Sequence, residues 1–169
     1  HCQGALCVRS RVRGARPRDH WPAALGSPVA ARVQALCTIE ADTILQAKGH
    51  PYSVRDLLAG VGGDVDLEGG HAWTLYLGPR DYHRIHAPEK ARLQEVRWIR
   101  GCRYSVAPGV LDRRRVLDVN ERCVLRMESQ RGPLLLVLVG ALNVGRIRVQ
   151  GVDPHDSGVL PGERRFQRG

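Results

Sequence analysis

The sequence predicts a mainly β (α+β) domain, in which an antiparallel or mixed β-sheet is accompanied by a few short helices. Two stretches point to the sheet: RCVLRMES (122–129) alternates between two sets of residues, and LLLVLV (134–139) is apolar throughout. The composition supports a packed core, since 43% of the 169 residues are hydrophobic and 25% are charged, as in ordinary soluble globular proteins. A chain of this length fits one domain.

The predicted strands follow one another along the chain. WTLYL (73–77) and RLQEVRWI (92–99) are rich in β-branched, aromatic and other apolar residues, which favour strands. In 122–129, every second residue shares a face, and one face carries Cys123, Leu125 and Met127. The opposite face carries Val124, Arg126 and Glu128.

Two further stretches complete the predicted sheet. The 134–139 strand is apolar on both faces, so we expect it to lie centrally, covered on both sides. Arg146 to Val149 alternates between arginine and β-branched residues and predicts one more strand.

One helix is well signalled. Ser53 precedes VRDLLAG, Asp56 follows three residues later as a capping-box partner, and Gly60 is a stop signal. The glycine-rich stretch 60–70 then predicts a loop. The tail 151–169 is rich in glycine, proline and charge, and we expect it to wrap the surface.

The domain is expected to span 27–169, preceded by a basic flexible lead-in at 1–26. The lead-in lacks the apolar core of a signal peptide. The longest apolar run, Leu134 to Leu142, is too short for a membrane span, which needs about 20 residues. Any membrane contact is therefore expected to be peripheral or to lie outside this chain.

The net charge is +9 and comes almost wholly from arginine. This balance favours an anionic partner such as nucleic acid, lipid headgroups or an acidic subunit, although arginine richness can also reflect the base composition of a genome. Nucleic acid is the least favoured partner, because the arginines are dispersed among strands with little aromatic interleaving. The five cysteines form no CxxC pair, which indicates free thiols in a reducing compartment.

The stretch YHRIHAP (82–88) is the most reactive-looking part of the chain, because His83 and His86 lie three residues apart. On a helix both rings would share a face, whereas on a strand they would face opposite ways. Pro79 and Pro88 argue against a helix. We expect no metal, since no third and fourth ligand follow at a recognisable spacing. Spacing alone leaves two alternatives open: part-exposed loop histidines, or a general acid–base pair.

Several segments, read together, resemble phosphatidylserine decarboxylase, a pyruvoyl-dependent family. In chain order they are ILQAKGHPYSV (44–54), TLYLGPRDYHRIHAP (74–88), RYSVA (103–107), NERCVL (120–125) and LVLVGALNVG (136–145). The resemblance implies that the chain is the large (β) subunit part of an enzyme that forms phosphatidylethanolamine from phosphatidylserine by Schiff-base decarboxylation.

The resemblance also implies the cofactor and the partners. The family cuts its own chain before a serine, which becomes a pyruvoyl group on the small subunit. Here ERRFQRG (163–169) is similar to the stretch before the cut, with Gly169 as the cleavage-site glycine. The expected partners are this small pyruvoyl-bearing subunit and phosphatidylserine in an anionic membrane, with no nucleic acid; a homodimer of heterodimers is compatible with this. The expected location is peripheral, on the cytoplasmic face of the bacterial inner membrane.

The site residues that the resemblance implies are His86 and His83. His86 is expected to activate the serine for self-cleavage, and His83 to bind the substrate carboxylate or to transfer a proton. The family has an Asp-Gly pair where this chain has Ala30 and Ala31. A degenerate, non-self-processing, lipid-associated relative that lacks the triad aspartate is therefore the alternative.

Overall fold

The structure, a computed structural model, describes residues 4–9, 25–45, 50–153, 155 and 158–166; for 4–9 and 158–166 we describe the backbone only. These residues form nine strands and two short helices. In chain order they are β1 (Gly4–Arg9), β2 (Arg32–Thr38), β3 (Thr43–Leu45), β4 (Pro51–Ser53), α1 (Val54–Leu58), β5 (His71–Tyr76), β6 (Ala91–Ile99), α2 (Pro108–Leu111), β7 (Arg122–Ser129), β8 (Gly132–Val139) and β9 (Gly158–Phe166).

Seven of these strands form one sheet in the order β2-β5-β1-β8-β7-β6-β9, and β3 pairs with β4 in a separate hairpin. Each pairing between neighbouring strands is antiparallel. The predicted mainly β architecture with a few short helices is therefore confirmed. The four strands predicted at 73–77, 92–99, 122–129 and 134–139 correspond to β5, β6, β7 and β8.

The sheet separates two hydrophobic cores. On one face, Leu135 and Val137 of β8 pack with Val124 of β7 and with the helix α1. On the other face, Leu136 and Leu138 of β8 lie in a second buried cluster. β8 is the middle strand of the seven, which confirms the prediction that its apolar residues are covered on both sides.

Helix α1 begins where the sequence predicts. The Ser53 Oγ accepts a hydrogen bond from the backbone N–H of Asp56 at 3.1 Å, which satisfies one of the unpaired donors of the first turn. The helix ends at Ala59, whose φ of 50° is left-handed, one residue before the glycine that we expected to stop it. Residues 60–70 form turns, as predicted.

A buried arginine joins β7 to α1. Arg122 is 6% exposed, and its guanidinium donates to the carbonyl oxygens of Asp56 at 2.8 Å, Leu57 at 2.9 Å, Asp118 at 2.8 Å and Asn120 at 3.2 Å. Burial lowers the pKa of this guanidinium, and the nearby carboxylates of Asp118 and Asp56 oppose that effect. The four carbonyls compensate the cost of burying the charge.

The prediction of a strand at 146–149 is wrong. Arg146 has a φ of 54°, and residues 145–149 form no strand. The reason is that no edge is available nearby, since β8 is paired with β1 and β7, and β6 with β7 and β9. Ile147 and Val149 still pack against the second core, which explains the apolar alternation without a strand.

The tail contains a strand that we did not predict. Its part Gly158–Phe166 forms β9, which pairs with β6 at one edge of the sheet. Pro161 lies within β9, and proline is tolerated in an edge strand because one side needs no ladder hydrogen bonds. We did not predict β9 because its segment is rich in glycine and proline, which a strand with a partner on one side only can contain.

The stretch expected to be a lead-in contributes β1, which lies between β5 and β8. Residues 10–24 lie outside the described residues, and the division of the chain at residue 27 stays a prediction. Cys37 and Cys102 are thiols in the structure. Neither helix in the described part of the chain has the length and apolarity that crossing a bilayer requires.

We expect Arg122→Met to lower the free energy of unfolding by about 3 kcal/mol or more, because four buried carbonyl oxygens lose their donor. Arg55→Met is the matched control, since its side chain is 88% exposed and only 3.7 Å from Asp42 in a loose ion pair. Urea denaturation of both variants tests this. Equal loss in the two variants would contradict the role given to Arg122.

Because the Tyr52 hydroxyl is buried, we expect the free energy of unfolding to depend on pH. Its side chain is 1% exposed, and its hydroxyl oxygen accepts from the Val116 N–H at 3.1 Å. Burial raises the pKa of Tyr52, against the weaker lowering effect of that hydrogen bond. A raised folded-state pKa means that the contribution of Tyr52 is complete below the unfolded pKa of about 10 and is lost as the pH rises through the folded value.

We therefore expect Tyr52→Phe to lower the free energy of unfolding by about 1–2 kcal/mol at pH 7, because the Val116 N–H loses its acceptor. The difference between parent and variant should shrink above pH 10. Urea titrations at pH 7, 9 and 11 measure it. A difference that stays constant up to pH 11 would count against the ionisation argument.

Candidate active site

A tight turn at residues 78–81 lies between β5 and the histidine segment, residues 82–88. The Asp81 N–H donates to the Gly78 carbonyl at 3.0 Å, and the Asp81 carboxylate accepts from the Gly78 N–H at 2.6 Å. A Cβ at position 78 would come within 3.2 Å of that carboxylate. The turn therefore depends on one carboxylate and on the absence of a side chain at Gly78.

His83 is held by this turn. The carbonyl oxygen of Asp81 lies within hydrogen-bond distance of His83 Nδ1. Because a carbonyl can only accept, Nδ1 carries the proton, and Nε2 is the basic nitrogen of the neutral ring. The residue is half-buried. The Asp81 carbonyl, two residues earlier in the chain, sets the orientation of its ring.

His86 is held from a different part of the chain. Its backbone N–H donates to the Pro28 carbonyl at 2.8 Å, and the Gly26 N–H donates to the Pro88 carbonyl at 2.9 Å. Through these two hydrogen bonds, residues 26–28 lie antiparallel to residues 86–88. Pro88 is buried beside them, whereas the imidazole of His86 is on an exposed residue.

Tyr82 is the partner of the His86 ring. The two rings are stacked, with centroids 5.8 Å apart and planes within 6° of parallel. The Tyr82 hydroxyl lies 3.3 Å from His86 Nε2. We did not predict Tyr82 as a site residue, because a spacing of four residues brings side chains together on a helix, and this segment is not helical.

The position where the resemblance places an aspartate lies in the segment that holds His86. Ala30 is exposed and follows Pro28, the acceptor of the His86 N–H, by two residues. In the described part of the chain, no carboxylate bonds to the His86 ring. Asp42 does not replace the aspartate, because its carboxylate accepts from Ser53 Oγ at 2.7 Å and from the Arg55 N–H at 3.1 Å.

The segment 82–87 is not helical, as the two prolines predicted, and it forms no strand either. The rules for which face a side chain takes on a helix or on a strand therefore do not apply to His83 and His86. Gly169, the third site residue predicted from the sequence, lies outside the described residues. The described residues contain no cluster of three or more histidine, cysteine or acidic side chains that could hold a metal ion.

The segment thus carries two histidines three residues apart, one half-buried with Nδ1 against a carbonyl and one exposed beside a phenol, and imidazoles are groups that can exchange protons near neutral pH. Comparison with known proteins specifies the class. The family model for phosphatidylserine decarboxylase matches residues 4–167. The chain therefore belongs to the phosphatidylserine decarboxylase family.

Individual relatives agree with the family model. The chain is 42% identical over 148 residues to the phosphatidylserine decarboxylase proenzyme of Pseudomonas fluorescens Pf-5, covering 85% of this chain and 50% of the relative. It is 43% identical over 148 residues to that of Alkalilimnicola ehrlichii, with the same coverage. For Azotobacter vinelandii the identity is 40% over 147 residues, covering 85% of this chain and 51% of the relative. The chain thus spans about half the length of the curated relatives it matches.

The turn at Asp81 yields a prediction about His83. In the parent chain above pH 8, we expect the neutral His83 ring to carry its proton on Nδ1, as seen in long-range ¹H–¹⁵N spectra. Asp81→Ala removes the carboxylate that closes the turn and should mix the two tautomers, because Nε2–H is the usual preference of a ring without a fixed acceptor. Asp153→Ala is the control, since Asp153 closes a similar surface turn by accepting from the His155 N–H. A pure Nε2–H ring in the parent would refute the assignment.

Proposed function

We propose that the chain is the large-subunit part of a phosphatidylserine decarboxylase, which releases carbon dioxide from phosphatidylserine and forms phosphatidylethanolamine. Membership of the family and the imidazole pair support this proposal. Nothing in the comparisons favours the degenerate alternative. The relatives are proenzymes by name, which supports a precursor that is processed into two chains.

The single observation that carries the proposal is the course of β9. Its last residue, Phe166, pairs with Ala91, the first residue of β6, and Ala91 follows His86 by five residues in the sequence. The chain leaving β9 therefore starts close to the histidine segment, and Gly169 is the third residue after Phe166. This course supports cleavage after Gly169 within reach of an imidazole.

The described residues fit a pyruvoyl group carried by a small subunit. Such a group needs neighbours that can exchange protons and bind a carboxylate without a metal. The basic Nε2 of His83 and the exposed ring of His86 are groups of this kind. When bound, the pyruvoyl group supplies a carbonyl that accepts the electron pair left behind by carbon dioxide.

His86 acts during processing of the precursor. Its imidazole takes the proton from the hydroxyl of a serine after Gly169, and the oxygen attacks the Gly169 carbonyl carbon; the C–N bond between Gly169 and the serine breaks as the proton passes to the serine nitrogen. Elimination of the resulting ester leaves a Gly169 carboxylate and a dehydroalanine, which water converts into the pyruvoyl group with loss of ammonia. Tyr82 positions the ring by stacking on it and by its hydrogen bond to Nε2. The ring is exposed, so it is accessible to an incoming segment of chain.

His83 acts during turnover. The Asp81 carbonyl holds Nδ1–H, so a second proton on the ring is carried by Nε2; this Nε2–H donates to the substrate carboxylate, or passes its proton to the carbon after carbon dioxide has left. Because Asp81 holds the ring through the main chain, His83 keeps its orientation whatever happens at His86.

The proposed partners are the small pyruvoyl-bearing subunit and phosphatidylserine in an anionic membrane, with a homodimer of heterodimers as the larger assembly. The net charge of +9 supports attraction to a negatively charged surface. We propose a peripheral location on the cytoplasmic face of the bacterial inner membrane.

Processing is tested by expressing the chain together with the region that its gene encodes after Gly169 and measuring intact masses. We expect two products, with a pyruvoyl-blocked small subunit. His86→Ala should abolish cleavage. His83→Ala should still be cleaved but should lose conversion of phosphatidylserine to phosphatidylethanolamine by at least about 10². An uncut parent precursor would overturn the proposal for self-processing.

The exposed alanine beside His86 gives a second experiment on the same precursor. Ala30→Asp should speed cleavage by about 10² to 10⁴, because a carboxylate next to an imidazole stabilises its charged form. Ala41→Asp is the matched control, since it adds the same charge at another exposed alanine. The time course of cleavage by gel and mass spectrometry reports the rates. Equal acceleration by both variants would show that only net charge matters.

A further inference from the structure

A cavity of about 350 Å³ lies where β6 ends, outside the histidine segment. Five arginines and one glutamate are among its lining residues: Arg100, Arg103, Arg122, Arg146, Arg148 and Glu121. Such an excess of positive charge around a concave surface attracts anions and raises their local concentration. None of these residues belongs to the histidine segment 82–88.

The backbone builds one wall of the cavity by close approach. A Cβ at Gly101 would lie 2.4 Å from the Val119 carbonyl oxygen, so only glycine fits there. The Cys102 N–H donates to that same carbonyl at 2.9 Å, and the Glu121 N–H donates to the Cys102 carbonyl at 2.7 Å. The contact fixes the arginines on both sides of Gly101, Arg100 and Arg103, next to Glu121.

The other wall is the irregular segment after β8. Ile147 packs against the second core, and its carbonyl accepts from the Trp98 indole N–H at 3.0 Å. With Ile147 turned inward, its neighbours Arg146 and Arg148 are both exposed. Arg146 adopts a left-handed φ of 54°, which is uncommon for a residue with a long side chain and often marks functional sites.

Two of the five guanidinium groups are already used. Arg122 donates to four carbonyls, as described above, and Arg103 forms an ion pair with Glu121 at 2.9 Å. The remaining three, Arg100, Arg146 and Arg148, form no ion pair with any described carboxylate. The cavity thus presents three uncompensated cations, and its one carboxylate is neutralised.

We infer that this cavity is a binding site for a phosphate group. Guanidinium groups bind phosphate oxygens through two parallel N–H donors, and several arginines around one concave surface match a tetrahedral anion. The volume exceeds that of a bare phosphate, and the half-buried Trp98 and Ile147 offer apolar contact to whatever the phosphate is attached to. The chemistry fits either a lipid phosphodiester or a free phosphate ester.

The cavity lies at the end of β6, and its lining belongs to both faces of the sheet. Trp98 and Ile147 pack against the same core as Ile85, which lies between the two histidines, whereas Ile99 packs against the other core. The inference does not depend on self-cleavage or on decarboxylation.

The test is a titration of the chain with inorganic phosphate, followed by the Trp98 indole N–H resonance, which is assigned with Trp98→Phe. We expect a saturable shift that weakens as salt rises, because exposed charges are screened. The triple variant Arg100→Gln/Arg146→Gln/Arg148→Gln should weaken binding at least about tenfold. Arg32→Gln/Arg113→Gln/Arg114→Gln, three exposed arginines elsewhere, removes the same charge and should bind as the parent does.

Vesicles separate the two sources of phosphate. Sedimentation with phosphatidylcholine vesicles that contain phosphatidylglycerol should be lost in the first triple variant and retained in the second, if the ligand is a lipid phosphodiester. Phosphate binding without such vesicle binding would assign the site to a free phosphate ester. A phosphate titration without a saturable Trp98 shift, or equal loss of phosphate binding in both triple variants, would overturn the inference.

Discussion

The structure depends on one buried cation. Arg122, on β7, bonds to the last carbonyls of α1 and to the loop that precedes β7. Carbonyls at the C-terminal end of a helix have no partner within the helix and carry partial negative charge. A single guanidinium therefore completes the short helix, neutralises its end and fixes the helix over one face of the sheet.

The two residues before Arg122, Asn120 and Glu121, bond to other parts of the fold. Asn120, which is fully buried, accepts from the Tyr104 N–H at 3.0 Å and donates to the Gly140 carbonyl at 2.9 Å. Glu121 instead reaches the cavity and pairs with Arg103. Three consecutive side chains thus tie together the helix, the loop after β6, the turn after β8 and the wall of the cavity.

The sequence predicts those strands and helices whose position follows from their own residues. The middle strand β8 was predictable because both of its faces are apolar, and α1 because Ser53 is an N-cap. β9 and the segment 145–149 were not predictable in this way. Whether an alternating segment becomes a strand depends on whether a neighbouring strand has an open edge, and that is a property of the assembled sheet.

The candidate site shows the same limit. Spacing identified His83 and His86, but it could not show that residues 26–28 lie beside the second of them, because that contact joins segments about 60 residues apart. Tyr82 was missed since the segment is irregular, and its stacking on His86 follows from the path of the backbone rather than from a helix or strand.

The two histidines owe their positions to unrelated parts of the chain, although they are separated by only two residues. The turn beside His83 is local, whereas the backbone of His86 is bonded to Pro28, 58 residues earlier in the chain. A substitution in either support reaches one ring and spares the other. Under the roles proposed above for the two rings, substitutions in these supports would let evolution adjust maturation and turnover as separate traits.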